Sequence, residues 1–126
     1  MTLQLDLFAR QFTPAMREPV QPHGRVLQSA PDEMLSLAHP KMAWRWAEIE
    51  LHQHVDGRWM WSTSFNTNGG GSGYRVGEKW GHFAASRDDA LHYAIEEMRE
   101  HLGRRHLQAE ERKSVRLILE WLETLQ

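Results

Sequence analysis

The chain has 126 residues, a formal net charge of -2 and no cysteine. These values fit one small domain with a short extension, and they exclude disulfides, thiolate metal sites and a cysteine nucleophile. No run of about 18 apolar residues is present, and the N-terminus lacks the pattern of a secretory signal. We therefore expect a cytoplasmic protein with no membrane partner. A protein held to nucleic acid mainly by phosphate contacts would be basic, so any nucleic-acid contact is expected to be weak or indirect.

The first 41 residues divide into residues 1–11, which form a short apolar-polar segment, and residues 12–41. The second part contains closely spaced turn formers, namely Pro14, Pro19, Pro22, Gly24 and Pro31. Proline at this density disfavours helix and central strand. The pattern predicts a linker over residues 12–41, with a single helical turn over Asp32–Leu37, and a folded domain over residues 42–126.

Strand signals dominate the first half of that domain. Residues 44–55 alternate between apolar and polar side chains, and Asp56-Gly57 is a two-residue hairpin signal before a return strand over residues 58–66. A two-residue turn would place Val55 opposite Arg58, with Ala47, Ile49 and Leu51 on an aliphatic face and the tryptophans on the other. The glycine-rich residues 66–73 predict a flexible loop, followed by short strands over 74–76 and 79–84.

Helix signals dominate the second half. Ser86 is a suitable N-cap for a helix over residues 87–102, ended by Gly103, and a second helix is predicted over residues 108–125. The predicted fold class is α+β, with a small antiparallel sheet of three to four strands and two C-terminal helices on one face. This element order broadly resembles double-stranded-RNA-binding domains and HicB-like antitoxins.

Five residues near the N-terminus carry a more specific resemblance. They are Gln4, Leu5, Asp6, Leu7 and Phe8. This order resembles the Gln-Leu-(Ser/Asp)-Leu-Phe peptide by which bacterial proteins bind the replication sliding clamp. The resemblance implies apolar anchors at Leu7 and Phe8, a shallower contact at Leu5, orienting hydrogen bonds from Gln4 and a rim position for Asp6. Its place ahead of a proline-rich segment suits a tethered peptide.

The same residues allow two structural interpretations. Leu3, Leu5 and Leu7 alternate as an edge strand would, and Leu5, Phe8 and Phe12 lie on one side of a helix. In both cases the peptide would complete the fold of its own chain instead of binding a partner.

A second set of candidate binding residues is aromatic, namely Trp46, Trp59, Trp61 and Phe65. These side chains would either pack under the helices as core or form an open face that binds a protein or stacks on bases. These aromatic side chains would be exposed to solvent if the helices covered the aliphatic face of the sheet instead.

The remaining polar motifs predict structure more readily than chemistry. His52 and His54 share a strand face, but no further metal ligand is placed, and packing on Trp61 and Trp59 accounts for them. The basic residues around Arg104 are offset by nearby glutamates. No nucleophile, base and orienting group occur together. We therefore expect no cofactor, no metal and no catalytic residue.

The leading functional hypothesis is a non-enzymatic accessory protein of a phage, plasmid or integrated element that binds the sliding clamp during DNA replication. One alternative is a stoichiometric protein inhibitor, such as an antitoxin or anti-defence protein, that binds a second protein through the aromatic face. Another is a module that binds single-stranded nucleic acid.

Overall fold

The fold is α+β, as the sequence predicts, and its core element is a four-stranded antiparallel sheet in which residues 33–38, 45–53, 59–67 and 70–73 lie side by side in that order. The computed structural model describes residues 16–17, 31–67, 70–104 and 109–126. The strands are β1 (Met16–Arg17), β2 (Glu33–Ala38), β3 (Arg45–Gln53), β4 (Trp59–Thr67), β5 (Gly70–Gly73) and β6 (His82–Phe83). Two helices follow, α1 (Arg87–Gly103) and α2 (Ala109–Thr124).

The hairpin between β3 and β4 differs from the prediction by one residue. Gln53 pairs with Trp59 and Leu51 with Trp61, so three residues, 55–57, form the loop instead of two. Gly57 has φ +95°, and its N–H donates to the His54 carbonyl at 2.9 Å, which is the geometry of a three-residue loop with a glycine bulge. The predicted register was wrong, because Asp56-Gly57 also fits this longer turn.

The one-residue shift decides the composition of both sheet faces, because side chains alternate along a strand. Ala47, Ile49 and Leu51 now share a face with the alternate residues Trp59, Trp61 and Phe65. This combined face packs on the helices in one buried cluster. On the opposite face, Glu50 is buried and accepts hydrogen bonds from Ser62 Oγ at 3.0 Å and from the Val76 N–H at 3.2 Å.

The domain begins earlier than the sequence indicates. Residues 33–38 form an antiparallel strand against β3, with Leu35 opposite Ile49 and Leu37 opposite Ala47. The predicted helical turn over Asp32–Leu37 was therefore wrong, and this part of the predicted linker belongs to the sheet. A run of six residues fits either conformation locally, and β3 decides the outcome by supplying hydrogen-bond partners.

The glycine-rich segment also enters the sheet. Residues 70–73 pair with residues 64–67, whereas the sequence predicted a flexible loop there. A side chain on Gly73 would place its Cβ 2.3 Å from the Cβ of Ser64. The absence of that side chain is what allows this close pairing. The predicted strand over 74–76 was wrong, and of residues 79–84 only His82–Phe83 form a strand, followed by a bridge from Ala84 to Trp59.

Helix α1 confirms its predicted start, since the Ser86 side chain accepts a hydrogen bond from the Asp89 N–H at 3.1 Å. Its predicted apolar stripe is buried, and it comprises Ala90, Leu91, Ala94, Ile95, Met98 and Leu102. Helix α2 buries Val115, Ile118 and Leu122, but Leu119, predicted on the same face, is 37% exposed. The sheet and both helices therefore enclose one main core.

Candidate functional site

The predicted clamp-binding residues, Gln4, Leu5, Asp6, Leu7 and Phe8, lie outside the described residues. The nearest described backbone is β1, whose Met16 pairs with Phe83 and whose Arg17 pairs with His82. Eight residue steps separate Phe8 from Met16, which span at most about 26–29 Å when extended. A peptide held at this pairing can therefore reach a partner close to the edge formed by β6.

The aromatic set predicted as a second binding face is mainly core. Trp46, Trp61 and Phe65 are buried and belong to the main cluster, and Trp59 packs against it while half-buried. The open-face alternative is therefore corrected for three of the four residues. The register shift is the physical reason for Trp61 and Phe65, because it puts these two rings on the side that the helices cover. Trp46 lies on β3 itself, at the irregularity where Leu37 pairs with Ala47 and Ala38 with Arg45, so the β3–β4 shift does not decide its side.

Trp61 is the centre of a polar and aromatic cluster between the sheet and α1. Its ring stacks on His82 and Tyr93, with centroid distances of 5.5 and 5.8 Å. The Glu97 carboxylate of α1 accepts hydrogen bonds from Trp61 Nε1 at 3.4 Å and from Thr63 Oγ1 at 2.6 Å. The Tyr74 hydroxyl also donates to Glu97, at 2.7 Å.

This cluster was missed in the sequence because Glu97 looks like one of several surface glutamates on α1. Only the tertiary structure brings three donors, from β4 and from the segment after β5, to one carboxylate. All three donor groups point at the same acceptor, so the cluster has the character of a structural network that joins sheet to helix.

The Tyr74 hydroxyl provides a pH-dependent test of the network. Burial and the adjacent Glu97 carboxylate raise the pKa of Tyr74 far above its usual range. In the unfolded chain this phenol ionises near pH 10, so the unfolded state loses the proton first. We expect the free energy of unfolding to fall as pH rises above about 10, with a slope of at most about 1.4 kcal/mol per pH unit from this group.

The measurement is urea unfolding between pH 8 and pH 11 for the wild type and Tyr74→Phe. The free energy of unfolding of the variant should fall less steeply at alkaline pH than that of the wild type, whatever its value at pH 8. The remaining ionising groups are common to both proteins, so the difference between the two pH curves reports on Tyr74. Parallel pH curves for the two proteins would contradict this role of Tyr74.

One partly exposed aromatic cluster lies in the connection between β2 and β3. The His39 ring lies 4.5 Å from the rings of both Trp44 and Trp46, measured between centroids. His39 Nδ1 accepts hydrogen bonds from the backbone N–H groups of Lys41 and Met42, each at 3.0 Å. This capping orders the connection, and Met42 at its tip is exposed.

The two histidines considered as metal ligands have other contacts. His52 Nδ1 lies 3.4 Å from an Asp32 carboxylate oxygen, and His54 Nδ1 lies 3.1 Å from one of Asp56. The His54 ring packs edge-on against Phe83 instead of on Trp59. In the described part of the chain, no group of three or more His, Asp or Glu side chains is arranged to hold a metal ion.

An ion pair between Asp56 and Arg58 stabilises the hairpin loop between β3 and β4. The Arg58 side chain donates to Asp56 Oδ2 at 2.6 and 2.8 Å, and its backbone N–H donates to Oδ1 at 3.0 Å. These bonds hold the pKa of Asp56 well below its usual range. The Arg58 guanidinium also lies 3.9 Å above the centre of the Phe83 ring. These contacts account for Asp56 and Arg58 as structural residues of the hairpin.

A cavity of about 410 Å³ lies between the start of α1 and the end of α2. Its floor is apolar and includes Leu91, Ile95 and Leu125, while Arg87, Asp88 and His92 contribute the polar lining. Arg87 is already bound to Glu33 and to Asp88. The cavity is therefore an apolar recess, and the Arg87 guanidinium at its edge already forms ion pairs within the protein.

The basic patch predicted around Arg104 is partly neutralised. Arg104 forms an ion pair with Glu100, one helical turn earlier, as expected for a solvated helix surface. The neighbouring residues 105–108 lie outside the described part. The described contacts favour the salt-bridged interpretation of this surface.

Searches of protein families, of curated proteins and of solved structures found no match to this chain. Within the described residues, no helix has both the length and the apolar character needed to cross a membrane.

Proposed function

We propose that this protein is a non-enzymatic accessory protein that binds the bacterial sliding clamp through Gln4-Leu5-Asp6-Leu7-Phe8. The observation that carries the proposal is the agreement of all five residues, in identity and order, with the clamp-binding peptide. The clamp works in the bacterial cytoplasm during replication, and a protein of a phage or plasmid would use it to reach the replication fork.

The position of β1 supports this proposal in one respect. Its pairing with β6 ties the chain to the domain eight residues after Phe8. A clamp-bound peptide would thus hold the domain within about 26–29 Å of its docking pocket. This tether is short enough to raise the local concentration of the domain beside the clamp.

The two alternative functions depend on an exposed aromatic face, and most of that face is buried. The inhibitor and the single-stranded nucleic-acid hypotheses both need an open aromatic face. Trp61 and Phe65 are buried against the helices, so they are not available for stacking on a base or for gripping a partner. The clamp hypothesis does not depend on this face.

The test is direct binding of the full chain to purified sliding clamp, comparing the wild type with Leu7→Ala/Phe8→Ala. Removing two apolar anchors should weaken binding at least about thirtyfold, because even one anchor of this kind contributes about 2 kcal/mol or more. The matched control is Leu3→Ala/Phe12→Ala, which removes the same two side-chain types just outside the peptide and should bind as the wild type does.

The control also tests whether this segment completes the fold of its own chain, because Leu3 belongs to the edge-strand pattern and Phe12 to the helical one. Loss of clamp binding in the control variant, or a wild type that fails to bind, would overturn the proposal. Denaturant midpoints of all three proteins should agree, which excludes unfolding as the cause.

A further inference from the structure

The edge strand β2 is built in an unusual way for an exposed edge. It is the first strand in the order β2-β3-β4-β5, so among the described residues it is paired on one side only. Edge strands are normally protected by charged residues, proline or a bulge, because their free N–H and C=O groups pair readily with another strand. Residues 34–38 of β2, Met-Leu-Ser-Leu-Ala, contain neither a charge nor a proline. The pairing with β3 is irregular between Leu37 and Ala38, but the extra residue lies on β3, at the end of β2.

The side chains of β2 are also incompletely covered. Leu35 and Leu37 point to the helix-covered face, yet both are only half-buried at the margin of the main core. Met34, on the other face, is 42% exposed. An additional strand beside β2 would cover apolar side chains on both faces of the sheet.

We propose that β2 pairs with β2 of a second copy of this chain, joining two four-stranded sheets in one continuous antiparallel sheet. Antiparallel pairing of a strand with itself is two-fold symmetric, as closed dimers require. A second copy is compatible with this edge in charge, because no like charges of the strand would be opposed in a self-pair. The single acidic residue of the strand, Glu33, is already bound to Arg87 of α1.

The pleat of the strand selects the register. Directly opposed residues must lie on the same face of the sheet. Placing Ser36 opposite Ser36 of the partner subunit puts Leu35 opposite Leu37 of the partner subunit, and Met34 opposite Ala38 of the partner subunit. This register forms two Leu–Leu pairs on the helix-covered face. A two-residue shift toward Glu33 keeps only one leucine pair and sets Glu33 against leucine.

Cysteine cross-linking tests both the dimer and its register, because the native chain contains no cysteine. In the proposed register, Ser36→Cys brings two Cα atoms to about 4.5–5.5 Å, within the Cα–Cα range that a disulfide spans. We expect mild oxidation of the full chain to give a disulfide-linked dimer at least tenfold faster than the control Ala43→Cys. Ala43 is exposed in the connection after β2 and has no place in the pairing.

A mixture of Met34→Cys and Ala38→Cys proteins should form the mixed dimer faster than either forms a dimer with itself. Sedimentation supplies a second measurement that needs no cross-link. The wild type should have about twice the monomer mass, Ser36→Lys should be monomeric because two lysines would be opposed, and Ala43→Lys should remain dimeric. Ser36 is exposed in one subunit, so its replacement should leave the unfolding midpoint of the monomer unchanged.

A wild type that sediments as a monomer up to its solubility limit would overturn the proposal, whatever else covers the edge of β2. A dimer that survives Ser36→Lys, or equal cross-linking at Ser36 and Ala43, would place the interface elsewhere and overturn it as well. The proposal is independent of the clamp, since it concerns the purified chain alone.

Discussion

Replacing Trp61 with alanine should destabilise the protein by about 3–5 kcal/mol, the range for removing a large aromatic side chain from a core. Trp61 is 4% exposed and stacks on His82 and Tyr93. Its removal leaves a cavity between the sheet and α1 and takes one of three donors from Glu97. A loss of this size is a large fraction of the stability of a small domain.

The measurement is equilibrium unfolding in guanidinium chloride, followed by circular dichroism. The control is Val55→Ala, since Val55 is 99% exposed at the hairpin loop and should change the free energy of unfolding by less than about 0.5 kcal/mol. A loss below about 1 kcal/mol for Trp61→Ala would contradict the burial of this face and the register of β3 and β4 on which it depends.

The second large effect is expected at Gly73, where alanine should cost about 1–3 kcal/mol, as overpacking does. A Cβ at this position would lie 2.3 Å from the Cβ of Ser64 and 2.9 Å from its Cα. The Cα belongs to the paired backbone of β4, so rotation of a side chain cannot relieve the contact. We expect β5 to move away from β4, and the amide protons in that ladder to exchange faster.

The matched control is Gly103→Ala at the end of α1. A Cβ there has no neighbour within 4 Å, and its φ is not in the left-handed region. Alanine is favoured over glycine in a helix, so this variant should be unchanged or more stable by up to about 0.5–1 kcal/mol. Equal effects of the two substitutions would mean that residues 70–73 are not packed on β4.

The helices were the elements that the sequence predicted best. Ser86 begins α1 through a contact that spans only three residues, and the apolar stripe follows from helical periodicity alone. Leu119 shows the limit of that reasoning. It fits the apolar pattern of α2, but the sheet covers an arc centred on Val115, Ile118 and Leu122 and leaves Leu119 partly exposed.

The strands were harder to predict from the sequence, because each strand depends on pairing with residues that are distant in the chain. Residues 33–38 and 70–73 become strands only beside β3 and β4, and their local patterns equally suit a helical turn or a loop. The Asp56-Gly57 pair marks a hairpin correctly, but two-residue and three-residue loops share that signal. The difference of one residue changes which side of the sheet every aromatic side chain of β4 occupies.

The sequence by itself determined the α+β class, the two helices, the position of the hairpin and the five-residue peptide that carries the functional proposal. These features depend on periodicity, caps and short motifs, which act over a few residues. Only the tertiary structure decided that Trp46, Trp61 and Phe65 are core, that Glu97 joins sheet to helix, and that β2 is an edge strand among the described residues. Those outcomes depend on register and on contacts between distant residues, which no local pattern specifies.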